Sequence, residues 1–152
     1  MTYEEWEEAV PPSVRADGSW KVQAYRLSLH FAACVWEDTE LLGQDHRSTS
    51  IPAQLCRAAG SIAANIAEGY GRRSPIDRAR YFEYALGSAA ESRTWYIMCR
   101  PGLVAGLGEK RLEQLASVTR LLLVMIKNER TRVADGISAG ARRGARRRNS
   151  DE

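Results

Sequence analysis

Apolar side chains recur along this chain at intervals of three and four residues, the spacing that places them on one face of an α-helix. From Trp20 to Leu42 the recurring row is Val22, Tyr25, Leu29, Ala32 and Trp36, beside a second row of Leu27, Phe31 and Val35. We predict that the first row faces the interior of a helical bundle and that the second row beside it makes the buried face wide. No stretch alternates at every second residue, as a half-buried strand does, so the predicted fold class is all-α.

The second predicted helix begins at Ser48-Thr49-Ser50, has Pro52 in its first turn and ends before Gly69, a residue type common just after helix ends. Its aliphatic face contains Ile51, Leu55, Ile62 and Ile66, and a second face contains small residues. A polar stripe consists of Gln54, Arg57, Ser61, Asn65 and Glu68. Because the other faces are apolar or small, we interpret this stripe as a subunit contact, with a ligand site as the alternative.

The third predicted helix begins at Ser74-Pro75-Ile76-Asp77, which has a cap, a proline and an acid in the expected places, and runs to about Arg100. The fourth runs from about Glu109 to Arg132, with Leu112, Leu115, Thr119, Leu122 and Ile126 on one face. Four periodic helices joined by short connections favour an antiparallel up-down four-helix bundle. We assign this bundle to residues 20–135.

The two ends of the chain differ from this bundle in charge. Residues 1–19 are interpreted as an acidic appendage, in which Thr2 to Glu5 can form a capping box ahead of Tyr3, Trp6 and Val10. Residues 136–152 lose their hydrophobic side chains and are predicted to be a disordered tail. That tail contains Arg142, Arg143, Arg146, Arg147 and Arg148. A basic end of this kind suggests contact with nucleic-acid phosphates, although such tails also serve only as solubilising ends.

Composition predicts a cytoplasmic protein without a membrane span. The longest aliphatic run, Leu121 to Ile126, is far shorter than the roughly 20 residues that cross a bilayer, and the acidic start does not resemble a signal peptide. Three cysteines without a CxxC pair are consistent with a reducing compartment. The net charge of +3 is mild.

No arrangement of residues indicates an enzyme, a metal site or a cofactor. His30 and Cys34 are four residues apart with Glu37 and Asp38 one turn further, yet ordinary packing explains them better than a metal. Asp45, His46 and Ser48 fall together in a loop without a nucleophile motif. Gly69-Tyr70-Gly71 follows a helix and lacks the lysine of a phosphate loop. We therefore predict a non-catalytic protein.

Four arginines surround the start of the third predicted helix, where free backbone N–H groups favour anions. They are Arg72, Arg73, Arg78 and Arg80. One interpretation is a solvated helix start with arginines paired to Glu68, Asp77 and Glu83; the other is contact with phosphates.

The segment from Gln54 to Arg73, QLCRAAGSIAANIAEGYGRR, followed by Ala85-Leu86-Gly87-Ser88 and Glu91, carries a family resemblance. It resembles the four-helix-bundle proteins encoded in intervening sequences of bacterial large-subunit ribosomal RNA genes. The match extends from about Trp20 to Arg132. The chain is also similar to the accessory variability determinant of diversity-generating retroelements, which binds a reverse transcriptase and its RNA.

The resemblance implies a ring-like homopentamer that binds nucleic acid without enzymatic activity. By position, Arg57, Asn65, Glu68, Gly69, Arg72, Ser88 and Glu91 match the family pattern, and the resemblance implies roles for them in the helix corner and in subunit contacts. Ala63, which stands where relatives often have proline, Pro101-Gly102 and the two charged ends depart from the pattern.

The predicted function is therefore that of an oligomeric accessory protein that binds nucleic acid, RNA in preference to DNA. The arginines of the helix corner and of the tail are its predicted contacts. The alternative is a protein-binding adaptor, with a reverse transcriptase as one candidate partner, in which Tyr3, Trp6 and Val10 dock on that partner.

Overall fold

The computed structural model describes residues 2–42 and 50–148, and this part of the chain is all α, without a strand. Two short helices, α1 (Tyr3–Ala9) and α2 (Pro12–Arg15), precede a 3-10 turn at Gly18–Lys21. Four long helices follow: α3 (Gln23–Leu42), α4 (Ile51–Gly71), α5 (Pro75–Cys99) and α6 (Leu107–Arg148). The all-α prediction is confirmed. The described residues form six α-helices: the four long ones and the short α1, which were predicted, and α2, which was not. Asp45, His46 and Ser48 lie outside those residues.

The four long helices share one hydrophobic core. Each packs against two neighbours, α3 against α4 and α6, and α5 against α4 and α6, so that α3 and α5 face each other across the core. Fully buried side chains from every one of these helices meet there, among them Phe31, Val35, Leu55, Ile62, Ile66, Ala85, Tyr96, Val118 and Leu122. Burial of this continuous apolar stripe is the main force that holds the helices together.

The predicted buried face of α3 is too wide at one residue. Trp36, expected to face the interior, is 69% exposed, whereas Phe31 and Val35 of the second row are fully buried. The buried face of α3 also includes Ser28 and Asp38, which are polar. Val22, Tyr25 and Ala32 of the first row are partly buried against the core, so this row lies at the edge of the buried face and Trp36 falls outside it.

The N-terminal residues form a docked cap and not a separate appendage. Thr2 and Glu5 form the predicted capping box at the start of α1. The Trp6 side chain is buried, with its ring 6.0 Å from that of Trp20 and 5.3 Å from that of His30. Arg26 of α3 binds Glu7 at 3.5 Å. The contact of Trp6 with His30 and this ion pair hold α1 against α3, and the contact with Trp20 holds it against the 3-10 turn.

Helix α6 is longer than predicted. It continues to Arg148, past its predicted end near Arg132 and through residues 136–148, which were predicted to be disordered. Alanine and arginine are strong helix formers and no proline follows, so the helix continues despite the glycines at 136, 140 and 144. The predicted tail therefore differs from the structure up to Arg148. None of the described helices is long and apolar enough to cross a membrane.

Candidate nucleic-acid interface

The corner between α4 and α5 is formed around Gly69. This residue does not end α4, as was predicted, because the helix continues to Gly71. A Cβ atom on Gly69 would lie 2.8 Å from Cε1 of Phe82 and 3.0 Å from Cβ of Tyr81. Glycine therefore permits the close approach of α5, which brings the arginines at the corner beside the tyrosines of α5.

Two of the four predicted corner arginines are held by partners within the chain. Arg72 binds the Glu68 carboxylate and donates to the Tyr81 hydroxyl at 2.9 Å. Its guanidinium carbon lies 4.9 Å from the centre of the Tyr81 ring, a cation–π contact. Arg78 donates to Glu129 of α6 at 2.9 Å and to the backbone carbonyls of Arg72 and Arg73. Arg78 therefore ties the corner to α6.

The other two arginines, Arg73 and Arg80, are exposed and have no acidic partner within 4 Å in the described part of the chain. Asp77, which was expected to pair here, is itself exposed, and its backbone N–H donates to the Ser74 hydroxyl that caps α5. Exposed arginines without a carboxylate keep their donors available for phosphate oxygens.

Sequence reasoning missed the side chain that lies beside these cations. Tyr84, one turn after Arg80 on the same face of α5, is 50% exposed, and its ring meets that of Tyr81 edge to face with centroids 5.7 Å apart. One turn further, a Cβ atom on Gly87 would meet nothing within 4 Å. The four-residue spacing of Arg80 and Tyr84 along α5 is the signal that could have revealed this arrangement. We call Arg73, Arg80 and Tyr84 together the corner strip. An exposed aromatic ring one turn from an exposed arginine is a surface on which an unpaired base can stack.

The residues that the resemblance assigned to subunit contacts have partners within the chain. Arg57 of α4 binds Gln54 and, at 3.4 Å, Glu91 of α5, and Glu91 also accepts from the Trp95 indole. Asn65 and Ser88 bond to backbone carbonyls of their own helices. Arg57 and Glu91 remain partly exposed, and their role between subunits stays a prediction.

The tail arginines 142, 143, 146, 147 and 148 lie on the last turns of α6, where the structure describes the backbone alone. Helical spacing places Arg142 near Arg146 and Arg143 near Arg147 along this extension. Their side-chain positions lie outside the described residues.

A buried polar cluster at the other end of the core was not predicted. Arg111 of α6 binds both oxygens of Asp38 at 2.8 and 2.9 Å, and the Tyr96 hydroxyl donates to the same carboxylate at 2.6 Å. Burial and then the Asp38 hydrogen bond raise the pKa of Tyr96. Because the Asp38 carboxylate has a partner for each oxygen and the cluster is closed to solvent, we interpret it as structural.

The residues weighed as a metal site do not converge. His30 Nε2 lies 3.6 Å from Cys34 Sγ, but the rings of Tyr3 and Trp6 pack against His30, and Asp38 is bound by Arg111. The described residues contain no group of three histidines, cysteines or carboxylates arranged to hold a metal ion. Packing accounts for His30 and Cys34.

Comparison with known proteins identifies the family. A family model described as 23S rRNA-intervening sequence protein matches residues 21–128, which span α3, α4, α5 and half of α6. A crystal structure of a protein of unknown function, from the S23 ribosomal protein family of Bacteroides thetaiotaomicron VPI-5482, is similar in fold. That protein is 24% identical, with a TM-score of 0.64 over 68% of this chain and 98% of its own. No curated protein matches the chain.

These matches confirm the resemblance to the ribosomal RNA intervening-sequence proteins, while the similarity to the retroelement determinant stays a prediction. The matched span covers most of the helical core and the whole α4–α5 corner, including Gly69 and Arg72. The chain belongs to the 23S rRNA-intervening sequence protein family.

Proposed function

We propose that this chain is a non-catalytic, cytoplasmic accessory protein that binds RNA in preference to DNA and acts as a ring-like homopentamer. Support for an RNA partner comes from membership of a family whose description refers to 23S rRNA. Membership alone leaves the binding surface open, so the proposal depends on the surface chemistry of the α4–α5 corner.

One observation carries the proposal: Arg73 and Arg80 are exposed and have no acidic partner among the described residues, and the half-exposed ring of Tyr84 lies one turn from Arg80. The two cations attract phosphates by displacing condensed counterions, and the ring offers a face to an unpaired base. Arg72 holds Tyr81 in place, and Tyr81 in turn supports the edge of the Tyr84 ring. The strip is therefore partly preorganised for a single strand.

Several copies of a weak site bind one polymer more tightly than a single copy does. Each protomer contributes this strip and the arginines at the end of α6. Once one protomer is bound, the others meet the RNA at a high effective concentration. Sequence-independent affinity of this kind depends strongly on salt because it rests on phosphate contacts.

The proposal can be tested by fluorescence anisotropy with single-stranded RNA and DNA of one sequence at several salt concentrations. Replacing Arg73 and Arg80 with serine should weaken RNA binding and lower the salt slope by about 0.7 for each lost phosphate contact. Tyr84→Ala should weaken binding by about 1–3 kcal/mol per stacked base, whereas Tyr84→Phe keeps the ring and most of the affinity. A chain ending at Gly136 measures the contribution of the terminal arginines.

The matched control replaces Arg100 and Lys110 with serine, which removes the same two charges from exposed positions just after α5 and at the start of α6, at the opposite end of the helices from the corner. This control should bind almost as tightly as the native chain. Equal losses in both double variants would mean that only overall charge matters, and the corner would not be the site. Absence of binding to any nucleic acid at low salt would refute the proposed function.

The adaptor alternative has less support from the contacts of the N-terminal residues than it had from their sequence. It required Tyr3, Trp6 and Val10 to dock on a partner protein such as a reverse transcriptase. Trp6 is instead buried against Trp20 and His30 of its own chain. The Tyr3 hydroxyl already donates a hydrogen bond to Glu7, and burial together with this bond raises the pKa of Tyr3 to about 12. A partner protein that the full chain captures in a pull-down, and that a chain without residues 1–19 does not capture, would support this alternative.

A further inference from the structure

A groove of about 730 Å³ runs along the outer surface between α5 and α6. Its floor is apolar and includes Leu86, Ala90, Ile97, Leu112 and Ala116. The Ile97 side chain is 53% exposed. Arg93 lines the groove and has no acidic partner within 4 Å in the described residues. The groove thus combines an uncovered apolar floor with an uncompensated positive charge, so a matching occupant would be apolar and acidic.

The outward face of α3 has this complementary character. Trp36 is 69% exposed, although an indole of this size contributes to stability chiefly when it is buried. Glu37 and Glu40 neighbour it on the same outer surface, and neither has a basic partner within 4 Å among the described residues. The same chain therefore presents an apolar, acidic projection and an apolar, basic groove.

One copy cannot bring these two surfaces together, because α3 lies across the core from α5 and its outward face points away from the groove. The two surfaces nevertheless lie at the same position along the helix axes. The hydrogen bond between Asp38 of α3 and Tyr96 of α5 shows which parts of these two helices lie side by side. Trp36 and Glu37 lie within one turn of Asp38, and Arg93 lies within one turn of Tyr96. A second copy, rotated about an axis parallel to the helices, presents Trp36 to the groove without sliding along it.

We propose that the α5–α6 groove of one copy receives Trp36 of a second copy, with Glu37 beside Arg93. The contact joins two different surfaces, so the copy that supplies the groove keeps a free tryptophan and the copy that supplies the tryptophan keeps a free groove. The chain of contacts closes as a ring when the rotation permits. This inference rests on the oligomeric part of the proposed function and assigns the surfaces that build the oligomer.

Sedimentation velocity of the full chain over a range of concentrations tests the interface. Trp36→Ala and Arg93→Glu should each weaken association by at least about tenfold, because one removes the apolar anchor and the other places two like charges together. The charge-swapped double variant, Arg93→Glu with Glu37→Arg, should recover association. Lys110→Glu, an exposed reversal on α6 outside the groove, is the matched control and should assemble as the native chain does.

The outcomes separate this inference from the proposed function. A native chain that assembles while Trp36→Ala and Arg93→Glu assemble equally well would overturn the interface and leave the oligomer standing. A native chain that stays monomeric would overturn both the interface and the oligomeric part of the proposal. RNA binding is measured separately, since the corner strip of a single copy stays accessible in every one of these variants. Circular dichroism establishes that each variant is folded, as expected for exposed positions.

Discussion

At the scale of single residues, two glycines of α4 have opposite surroundings. Gly69 lies against Phe82 and Tyr81, whereas a Cβ atom on Gly60 would meet nothing within 4 Å. Gly69→Ala should destabilise the fold by about 1–3 kcal/mol, because the overlap with Phe82 exceeds the gain in helix propensity. Gly60→Ala, the control in the same helix, should stabilise it by about 0.5–1 kcal/mol. Urea denaturation measures both, and similar effects of the two substitutions would argue against the close approach at Gly69.

His30 gives a second test at this scale. Burial lowers its pKa, and Arg111 and Lys110 act in the same direction, while Glu37 opposes them. The rings of Tyr3 and Trp6 and the Cys34 thiol complete its surroundings. The unfolded chain, in which the pKa of histidine is about 6.5, takes up a proton more readily than the folded chain. The stability that His30 contributes is therefore complete above about pH 6.5 and is lost as the pH falls below that value.

We expect the free energy of unfolding of the native chain to fall between pH 7.5 and pH 5.5. His30→Gln, which cannot titrate, should make this fall smaller. If His30→Gln and the native chain lose stability in parallel, the titrating group lies elsewhere.

Sequence reasoning at this scale succeeded where a residue acts within its own helix. The caps at Thr2 and Ser74 were predicted from local spacing, and both are present. Gly69 was misread because its role depends on Phe82, which belongs to another helix. Tyr84 was missed because exposure of a tyrosine depends on how α5 packs, and spacing along one helix does not determine that.

At the scale of helices, the Asp38–Arg111 pair links α3 to α6. Arg111→Met should destabilise the fold by about 3–5 kcal/mol, because it leaves a buried carboxylate without its counter-ion. The triple variant Asp38→Leu, Tyr96→Phe and Arg111→Met removes the cluster as a whole and should be less destabilised than the single variant. Arg130→Met breaks the exposed pair with Glu83 on the same helix and should cost less than about 1 kcal/mol.

Urea denaturation of these three variants distinguishes a buried link from a surface one. Equal costs for Arg111→Met and Arg130→Met would contradict the burial of the Asp38 cluster. The cluster also shows a limit of sequence reasoning, because its members lie 58 and 73 residues apart along the chain. Asp38 looks like any other acid near the end of a helix until three helices are packed together.

At the scale of the whole molecule, the order and approximate extent of α3, α4 and α5 followed from hydrophobic spacing, but the orientation of α3 did not. The spacing contains two neighbouring apolar rows that were both predicted to be buried, and only packing against α4 and α6 decides where the buried face ends. Trp36 was therefore assigned to the interior. Because of that error, sequence reasoning missed the exposed surface around Trp36, to which we assign the contact between copies.

The continuation of α6 to Arg148 has a consequence for how the terminal arginines reach a ligand. A helix of 42 residues is about 63 Å long, and its last dozen residues project about 18 Å beyond Gly136. A projecting helix fixes the distance of these residues from the core and the angular positions of their Cα atoms around the helix axis. Inserting one alanine after Gly136 would leave the charge unchanged and turn every later arginine by about 100°. If the tail were flexible, this insertion would leave the affinity for a ligand unchanged. If it is a helical arm, the insertion turns the charges to a different side of the ligand and the affinity changes.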